Sequence, residues 1–299
     1  MEPRPFRFGV VAAQAGSGGE WAERARRVEA LGFSTLLVPD TLGATLPPLV
    51  ALAFAAAATT RLRVGTYVLA NDFRNPVLVA RDAAAIDFLS GGRFELGMGV
   101  GRPGAEEDSR RLGLPFDPGG VRVSRLAESL AIVKDLLEGR RVEAPGRHYA
   151  SAGADVFPRP VQQPRPPILV AGTGRRLLQL AGREADIVAL GVTADHDRDA
   201  VETRVSWVRE AAGPRFERLE LNLNLLVAGH EPDPRMVSWL RVDLAELERR
   251  RSPLVLMGDR DAMCEQLLAR RERLGVSYWN VGVQFAEAMA PVVERLAGR

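Results

Sequence analysis

Short apolar or β-branched runs recur along the chain, separated by stretches whose apolar residues return every three or four positions. Phe6–Val11 is the first such run and predicts a strand. Trp21, Ala25, Val28 and Leu31 then mark one face of a helix, with Gly32 where a C-terminal cap belongs. Thr35–Val38 predicts a second strand, followed by an alanine-rich helix from Pro48 to Thr59, and Leu62–Leu69 predicts a third. Asn75-Pro76 supplies a capping residue and a proline at the first helical position, opening a helix that closes at Ser90-Gly91. Phe94–Val100 is the fourth strand. Val123, Leu126, Leu130, Val133 and Leu137 follow the spacing of a helix that Gly139 ends. Ile168–Ala171, Asp186–Leu190, Leu219–Val227 and Tyr278–Val281 complete eight strands. Helices are predicted at Arg176–Ala181, Ala200–Ala211, Met236–Arg249 and Ala262–Leu274, with a closing one through Val292 to Leu296.

Eight successive βα units fit an α/β fold of the (β/α)8 barrel type better than a doubly wound sheet, and residues 1–299 read as one domain. A Rossmann rival rests on Gly99-Val-Gly101-Arg-Pro-Gly104, which satisfies GxGxxG. Pro103 and the charged run Glu106-Glu107-Asp108 argue against it, because no apolar helix face follows to pack on a sheet. Two segments exceed ordinary connections. Arg102–Val121, after the fourth strand, has the length of a loop that forms a lid or substrate wall. Arg140–Pro167, before the fifth, carries Pro158, Pro160, Pro164, Pro166 and Pro167. It predicts an ordered insertion around the outside with a small hairpin.

Composition narrows the function classes. With 46% hydrophobic and 26% charged residues, disorder and a disulfide scaffold are both excluded. Forty basic residues against 38 acidic ones leave a net charge of +2, and no basic stripe interleaved with aromatics points to nucleic acid. A lone Cys264, with His148, His196 and His230 far apart, argues against a metal centre. The segment Met-Glu-Pro-Arg-Pro lacks the apolar core of a signal peptide. Leu46–Thr59 is too short to span a bilayer. A soluble, cytoplasmic protein is expected.

In such a barrel the chemistry sits at the C-terminal ends of the strands. That rule selects Asp40-Thr41, Ala70-Asn71-Asp72, Gly101-Arg102, Gly172-Thr173-Gly174 and Gly191. Gly97, Gly99 and Gly101 share one face of the fourth strand, which points to close approach of another backbone or a flat ligand, or else to tight packing in the barrel interior. Gly172-Thr173-Gly174-Arg175-Arg176 leads into a helix and suits a phosphate oxygen, or is a plain turn with solvated arginines. Asp40 could bind a ligand, act as a base or cap a turn. Tyr67 could fill the core or face a cofactor, and Arg102 could be surface charge or an anion clamp. The three histidines read as solvated and Cys264 as core.

Glu29-Ala-Leu-Gly-Phe-Ser-Thr-Leu-Leu-Val-Pro-Asp40, Arg61-Leu-Arg-Val-Gly-Thr66 and Leu89-Ser-Gly-Gly-Arg-Phe-Glu-Leu-Gly-Met-Gly-Val-Gly101 resemble the bacterial luciferase-like superfamily. Asn75-Pro76, Gln163-Pro-Arg-Pro-Pro-Ile-Leu-Val-Ala-Gly172 and Gly275-Val-Ser-Tyr-Trp-Asn280 agree. Gly113-Leu-Pro-Phe-Asp117 and the compact length are similar to the branch that uses the deazaflavin coenzyme F420. The resemblance implies a flavin or deazaflavin held across the strand ends, its phosphate at Thr173, Gly174 and Arg176 with Gly191 nearby. Asp40, Tyr67, Val68, Ala70, Val100 and Gly101 would meet the rest of the cofactor, and a cis peptide is implied at Tyr67-Val68. Two departures stand out: Thr41 replaces the family's usual histidine, and Arg102 stands where some relatives carry a catalytic glutamate. The resemblance therefore implies hydride transfer between F420 and a small organic substrate, an activated C=C or C=N bond being one option. Asp40, Thr41, Tyr67 and Arg102 are candidates for polarising it or delivering a proton. The alternatives are a two-component monooxygenase using FMN, and a degenerate barrel that binds a ligand without catalysis. The superfamily often dimerises through barrel helices, which leaves a homodimer open.

Overall fold

The computed structural model describes residues 4–43, 45–102, 104–193, 196–230, 243–250 and 252–299. Its strands are β1 (Arg7–Val11), β2 (Thr35–Val38), β3 (Arg63–Thr66), β4 (Leu69–Ala70), β5 (Phe94–Gly99), β6 (Val142–Pro145), β7 (Ala150–Ala154), β8 (Ile168–Gly172), β9 (Ile187–Leu190), β10 (Glu220–Leu225), β11 (Val227–Gly229), β12 (Val255–Met257) and β13 (Val276–Gly282). The helices are α1 (Gly18–Ala30), α2 (Pro48–Ala58), α3 (Pro76–Leu89), α4 (Ala105–Arg111), α5 (Gly119–Leu137), α6 (Arg175–Glu184), α7 (Arg198–Ala212), α8 (Leu244–Arg249), α9 (Arg260–Leu274) and α10 (Ala286–Leu296).

The local signals act as expected. Trp21, Ala25 and Val28 bury one face of α1, and Gly32 beyond it takes φ +82. Asn75 caps α3 by accepting the Val77 N–H, with Pro76 in the first turn. Leu126, Leu130, Val133 and Leu137 bury the core face of α5.

The chain forms two compact units. In the one made of residues 13–23 and 37–171, β5 is central. It pairs in parallel with β3 through Val64–Phe94, with β4 through Leu69–Met98 and with β8 through Met98–Val170. In the other, made of residues 1–12, 24–36 and 172–299, β13 lies between β1 and β10, and β9 follows β10, all parallel. Parallel strands need crossover connections, and helices supply them. This succession of parallel strands and crossover helices is the construction of a (β/α)8 barrel.

Several boundaries differ from the sequence reading, each for a physical reason. The predicted third strand, Leu62–Leu69, is interrupted: β3 stops at Thr66, the Tyr67-Val68 bond is cis, and β4 resumes at Leu69. At the break the Thr66 side chain replaces backbone pairing. Its Oγ1 donates to the Gly97 carbonyl (2.8 Å) and accepts the Gly97 N–H (2.7 Å). The predicted seventh strand ends at Leu225, and the chain continues as β11, which pairs with the unpredicted β12. The segment after β5 contains α4 and is not loop throughout. Of the helix predicted at Met236–Arg249, the part before Asp243 lies outside the described residues, as does Pro103 of the GxGxxG match.

The proline-rich insertion holds the expected hairpin, β6 against β7. It is tied down by Asp87, a fully buried carboxylate on α3 that accepts the N–H groups of Val161 (2.8 Å) and Gln162 (3.0 Å) and the Gln162 amide (2.6 Å). Gln162 in turn accepts from Arg63, which pairs with buried Glu95 at 2.6 Å. Each polar group taken from water here has a partner, as burial requires. Among the described residues, no helix is long and apolar enough to cross a membrane.

Candidate active site

In the unit built around β5, the strand ends carry Asp40, Thr41, Tyr67, Val68, Ala70, Val100, Gly101 and Arg102. Asp40 follows β2, and its side chain is 5% exposed. Both its oxygens are engaged by the Arg74 guanidinium, and Oδ2 also accepts the Ala70 N–H at 3.0 Å. Asp40 is thus built into the start of the turn after β4. The Tyr67 N–H donates to the Val38 carbonyl (2.8 Å), which brings the 67–70 segment against the end of β2. The Thr41 hydroxyl bonds that of Thr45 (3.1 Å), which donates to the Thr41 carbonyl (2.7 Å).

The glycine face of β5 receives a backbone. A Cβ at Gly97 would stand 2.0 Å from the Thr66 carbonyl oxygen and 2.9 Å from Val68 Cγ1, and one at Gly99 2.9 Å from Val68 Cγ2. Close backbone approach applies at Gly97, and tight packing against the Val68 side chain at Gly99. Gly101 instead takes φ +90, a left-handed conformation that suits glycine, where the chain turns towards α4.

Arg102 is not an open anion clamp. It bridges to Asp108 on α4 (2.8 Å), whose carboxylate is 5% exposed. Arg122 from α5 holds the Val100 carbonyl, donates to the Asp117 carbonyl (3.0 Å) and stacks over Phe116 at 4.3 Å. Arg125 pairs with Asp72 (2.9 Å) and with Asp117. Asn71, 2% exposed, donates to the Tyr149 hydroxyl (3.0 Å), and burial pushes that phenol above its ordinary pKa. On α4, hydrogen bonds from Arg110 and Arg111 lower the Glu107 carboxyl to about 2. Arg74, Arg122, Arg125 and Tyr149 were missed by the sequence reading, whereas Asn71 was selected at the strand end. The signal for Arg74 was its place in Asn71-Asp-Phe-Arg-Asn-Pro76, between a strand end and a helix cap.

In the other unit, Gly172 ends β8, and Thr173, Gly174, Arg175 and Arg176 are exposed at the start of α6. Gly174 is the N-cap without a side-chain cap bond, and among the described residues nothing lies within 4 Å of where its Cβ would be. The first N–H groups of a helix have no intrahelical acceptor. Arg175 pairs with Glu210 at 3.2 Å, whereas Arg176 makes no side-chain bond among the described residues. Gly191 donates to the Gly172 carbonyl (2.7 Å), and a Cβ there would meet Thr173 Cγ2 at 2.5 Å. Arg204, 8% exposed, braces this loop through the Gly191 carbonyl (3.0 Å) and His196 Nε2 (2.9 Å). His196, like His148, which bonds Ser124 at 3.1 Å, is therefore engaged and not simply solvated.

Comparison with known proteins follows the same lines. An F420-dependent glucose-6-phosphate dehydrogenase of Nakamurella multipartita is 31% identical over 242 residues, covering 76% of this chain and 69% of that one. The solved coenzyme F420-dependent tetrahydromethanopterin reductase of Methanopyrus kandleri superposes with TM-score 0.79 over 98% of each chain at 19% identity. A monooxygenase from Streptomyces bottropensis superposes with TM-score 0.74 over 97% of each at 22% identity. These likenesses agree with the (β/α)8 fold. Residues 5–277 match one family throughout, and the chain belongs to the luciferase-like monooxygenase family.

Proposed function

We propose that this protein is an oxidoreductase of the luciferase-like class that transfers a hydride between coenzyme F420 and a small organic substrate, with activated C=C and C=N bonds the first class to screen. The observation that carries this reading is the 31% identity, over three quarters of the chain, to an F420-dependent dehydrogenase. Residues 1–299 are taken as a single catalytic domain, in keeping with a family match that runs from 5 to 277.

The residues present fit the cofactor's phosphate. Thr173 offers a hydroxyl, the start of α6 offers N–H groups, and Arg176 offers a guanidinium that makes no side-chain bond among the described residues. Gly191 lets the loop close behind them. Val68, Ala70, Val100 and Gly101 are assigned to the ring. A bound deazaflavin supplies the hydride chemistry, and the protein binds it, orients the substrate and excludes water. Asp40 and Arg102 each spend their charge on an internal partner, which supports positioning roles for both. Thr41 and Tyr67 are then the groups assigned to polarising the substrate.

Titration of the purified protein with F420 and, separately, FMN tests the reading. Selective F420 binding is the expected result, and binding of neither cofactor would leave a degenerate barrel. Gly174→Trp is expected to weaken cofactor binding at least tenfold, roughly 1.4 kcal/mol, with an unchanged Tm because the site is open. Unaltered affinity would remove the phosphate assignment. Glucose 6-phosphate is not expected to reduce F420 here, since Thr41 and Arg102 replace the acid–base pair of the sugar-phosphate branch; F420 absorbance reports the outcome. The second reading, an FMN monooxygenase, is favoured by the Streptomyces bottropensis likeness and predicts oxygen uptake with reduced FMN. We further propose a cytoplasmic enzyme that uses neither nucleic acid nor membrane. A homodimer is the assembly to check by light scattering.

A further inference from the structure

Three asparagines interrupt strands that are otherwise apolar. Asn222 and Asn224 lie on β10 and Asn280 on β13; Asn222 and Asn280 are fully buried. The parallel register pairs Asn224 with Asn280, Asn280 with Gly9, and Asn222 with Ala189, so the amides share one face of the sheet. The opposite face carries Leu223 and Trp279, and Trp279 lies under Arg270 of α9. The amide face is therefore the one turned away from that helix.

Part of the amide capacity is used internally. Asn280 Nδ2 donates to Asn222 Oδ1 (3.3 Å), Asn222 Nδ2 to the Tyr278 carbonyl (3.1 Å), and Asn224 Nδ2 to the Leu225 carbonyl (3.3 Å). Oδ1 of Asn224 and Oδ1 of Asn280 are buried and accept nothing among the described residues. Two orphaned acceptors on directly paired residues lower stability unless a donor meets them, whereas leucines there would not. On the same face Tyr278 pairs with Asn222, while Gly9, Ala189 and Gly191 bring little or no side chain beside Asn224 and Asn280.

Their position identifies the donor. Asn224 stands level with Gly191, two residues beyond the Asn222–Ala189 pair, and Gly191 is bonded to Gly172 at 2.7 Å. At about 4.8 Å per strand, Asn224 and Asn280 lie roughly 10 and 15 Å from Gly172, where the Thr173–Arg176 turn begins. F420 and FMN both join a phosphate, through a chain bearing hydroxyls, to a ring with an imide N–H. We propose that Asn224 and Asn280 form a hydrogen-bond-accepting subsite for the O–H and N–H donors of the phosphate-anchored cofactor, an inference that rests on the cofactor reading above.

The test is fluorescence or absorbance titration of Asn224→Leu and Asn280→Leu with F420 and FMN, beside thermal unfolding without ligand. Each variant is expected to weaken the affinity for the preferred cofactor about tenfold, and the Tm of Asn224→Leu is expected to stay level or rise. Affinity within twofold of the unsubstituted protein overturns the proposal, and a lowered Tm with intact affinity marks the amides as structural or as water-bound. Should Asn280→Leu not fold, because Asn222 loses its donor, Asn224→Leu, which leaves that bond in place, carries the test. Gly174→Trp separates the two readings. If it weakens binding and the asparagine variants do not, only the subsite falls; if the unsubstituted protein binds neither cofactor, the cofactor reading falls and the subsite with it.

Discussion

Gly97→Ala is expected to leave almost no soluble, folded protein. Its Cβ would sit 2.0 Å from the Thr66 carbonyl oxygen, and that oxygen belongs to backbone, so no side-chain rotation can relieve the overlap. Moving β3 away from β5 would also break both Thr66 hydroxyl bonds to Gly97 and push Val68 out of place. Overpacking of this severity is expected to exceed about 4 kcal/mol, a large fraction of a domain's stability. Gly99→Ala crowds the Val68 side chain at 2.9 Å and meets the Ala171 carbonyl oxygen at an ordinary 3.4 Å, and is expected to cost about 1–3 kcal/mol. Gly174→Ala, with nothing near it, is the neutral control. Soluble yield and thermal unfolding of the three variants give the order; a well-folded Gly97→Ala would show that the close approach of β3 to β5 is wrong.

Arg74→Ala is the second large effect, expected at about 3–5 kcal/mol, because it strands the nearly buried Asp40 carboxylate without its cation. Replacing both partners, as Asp40→Leu with Arg74→Met, is expected to recover most of this loss. The remainder is the Ala70 N–H left without an acceptor, worth about 1–3 kcal/mol. Chemical denaturation of Asp40→Leu, Arg74→Met and the double variant, beside Arg74→Ala, completes the cycle. Destabilisation by the double replacement equal to the sum of its two single replacements would mean that the pair contributes no coupling, and Asp40 would again be available as a base. Cofactor affinity of the double variant is the accompanying readout, because Asp40 and Ala70 adjoin the residues assigned to the ring.

The architecture was legible because periodicity and end signals agree along most of the chain. Asn75-Pro76 opens α3 and Gly32 follows α1, and buried faces such as Trp21, Ala25 and Val28 match the spacing that predicted them. The break between β3 and β4 was not legible from pattern, because Leu62–Leu69 keeps strand-like composition throughout; only the resemblance pointed to Tyr67-Val68. The pair β11 and β12 was hidden for a related reason: three-residue strands are too short to carry a period.

The candidate site divides along the same line. Local sequence determined which residues reach the strand ends, since a loop that follows a strand by one or two residues has little choice of position. Asp40, Thr41, Gly101, Arg102, Thr173, Gly174 and Gly191 all stand there. Tertiary structure alone decided what those residues can do. Arg74 lies 34 positions from Asp40 and claims its carboxylate, and Asp108 claims Arg102. Arg176 is left without a side-chain bond among the described residues, and the amides of Asn224 and Asn280 come side by side only because β10 pairs with β13. Charge and hydrogen-bond capacity are settled by which partners arrive through space, and one-dimensional spacing carries no record of them.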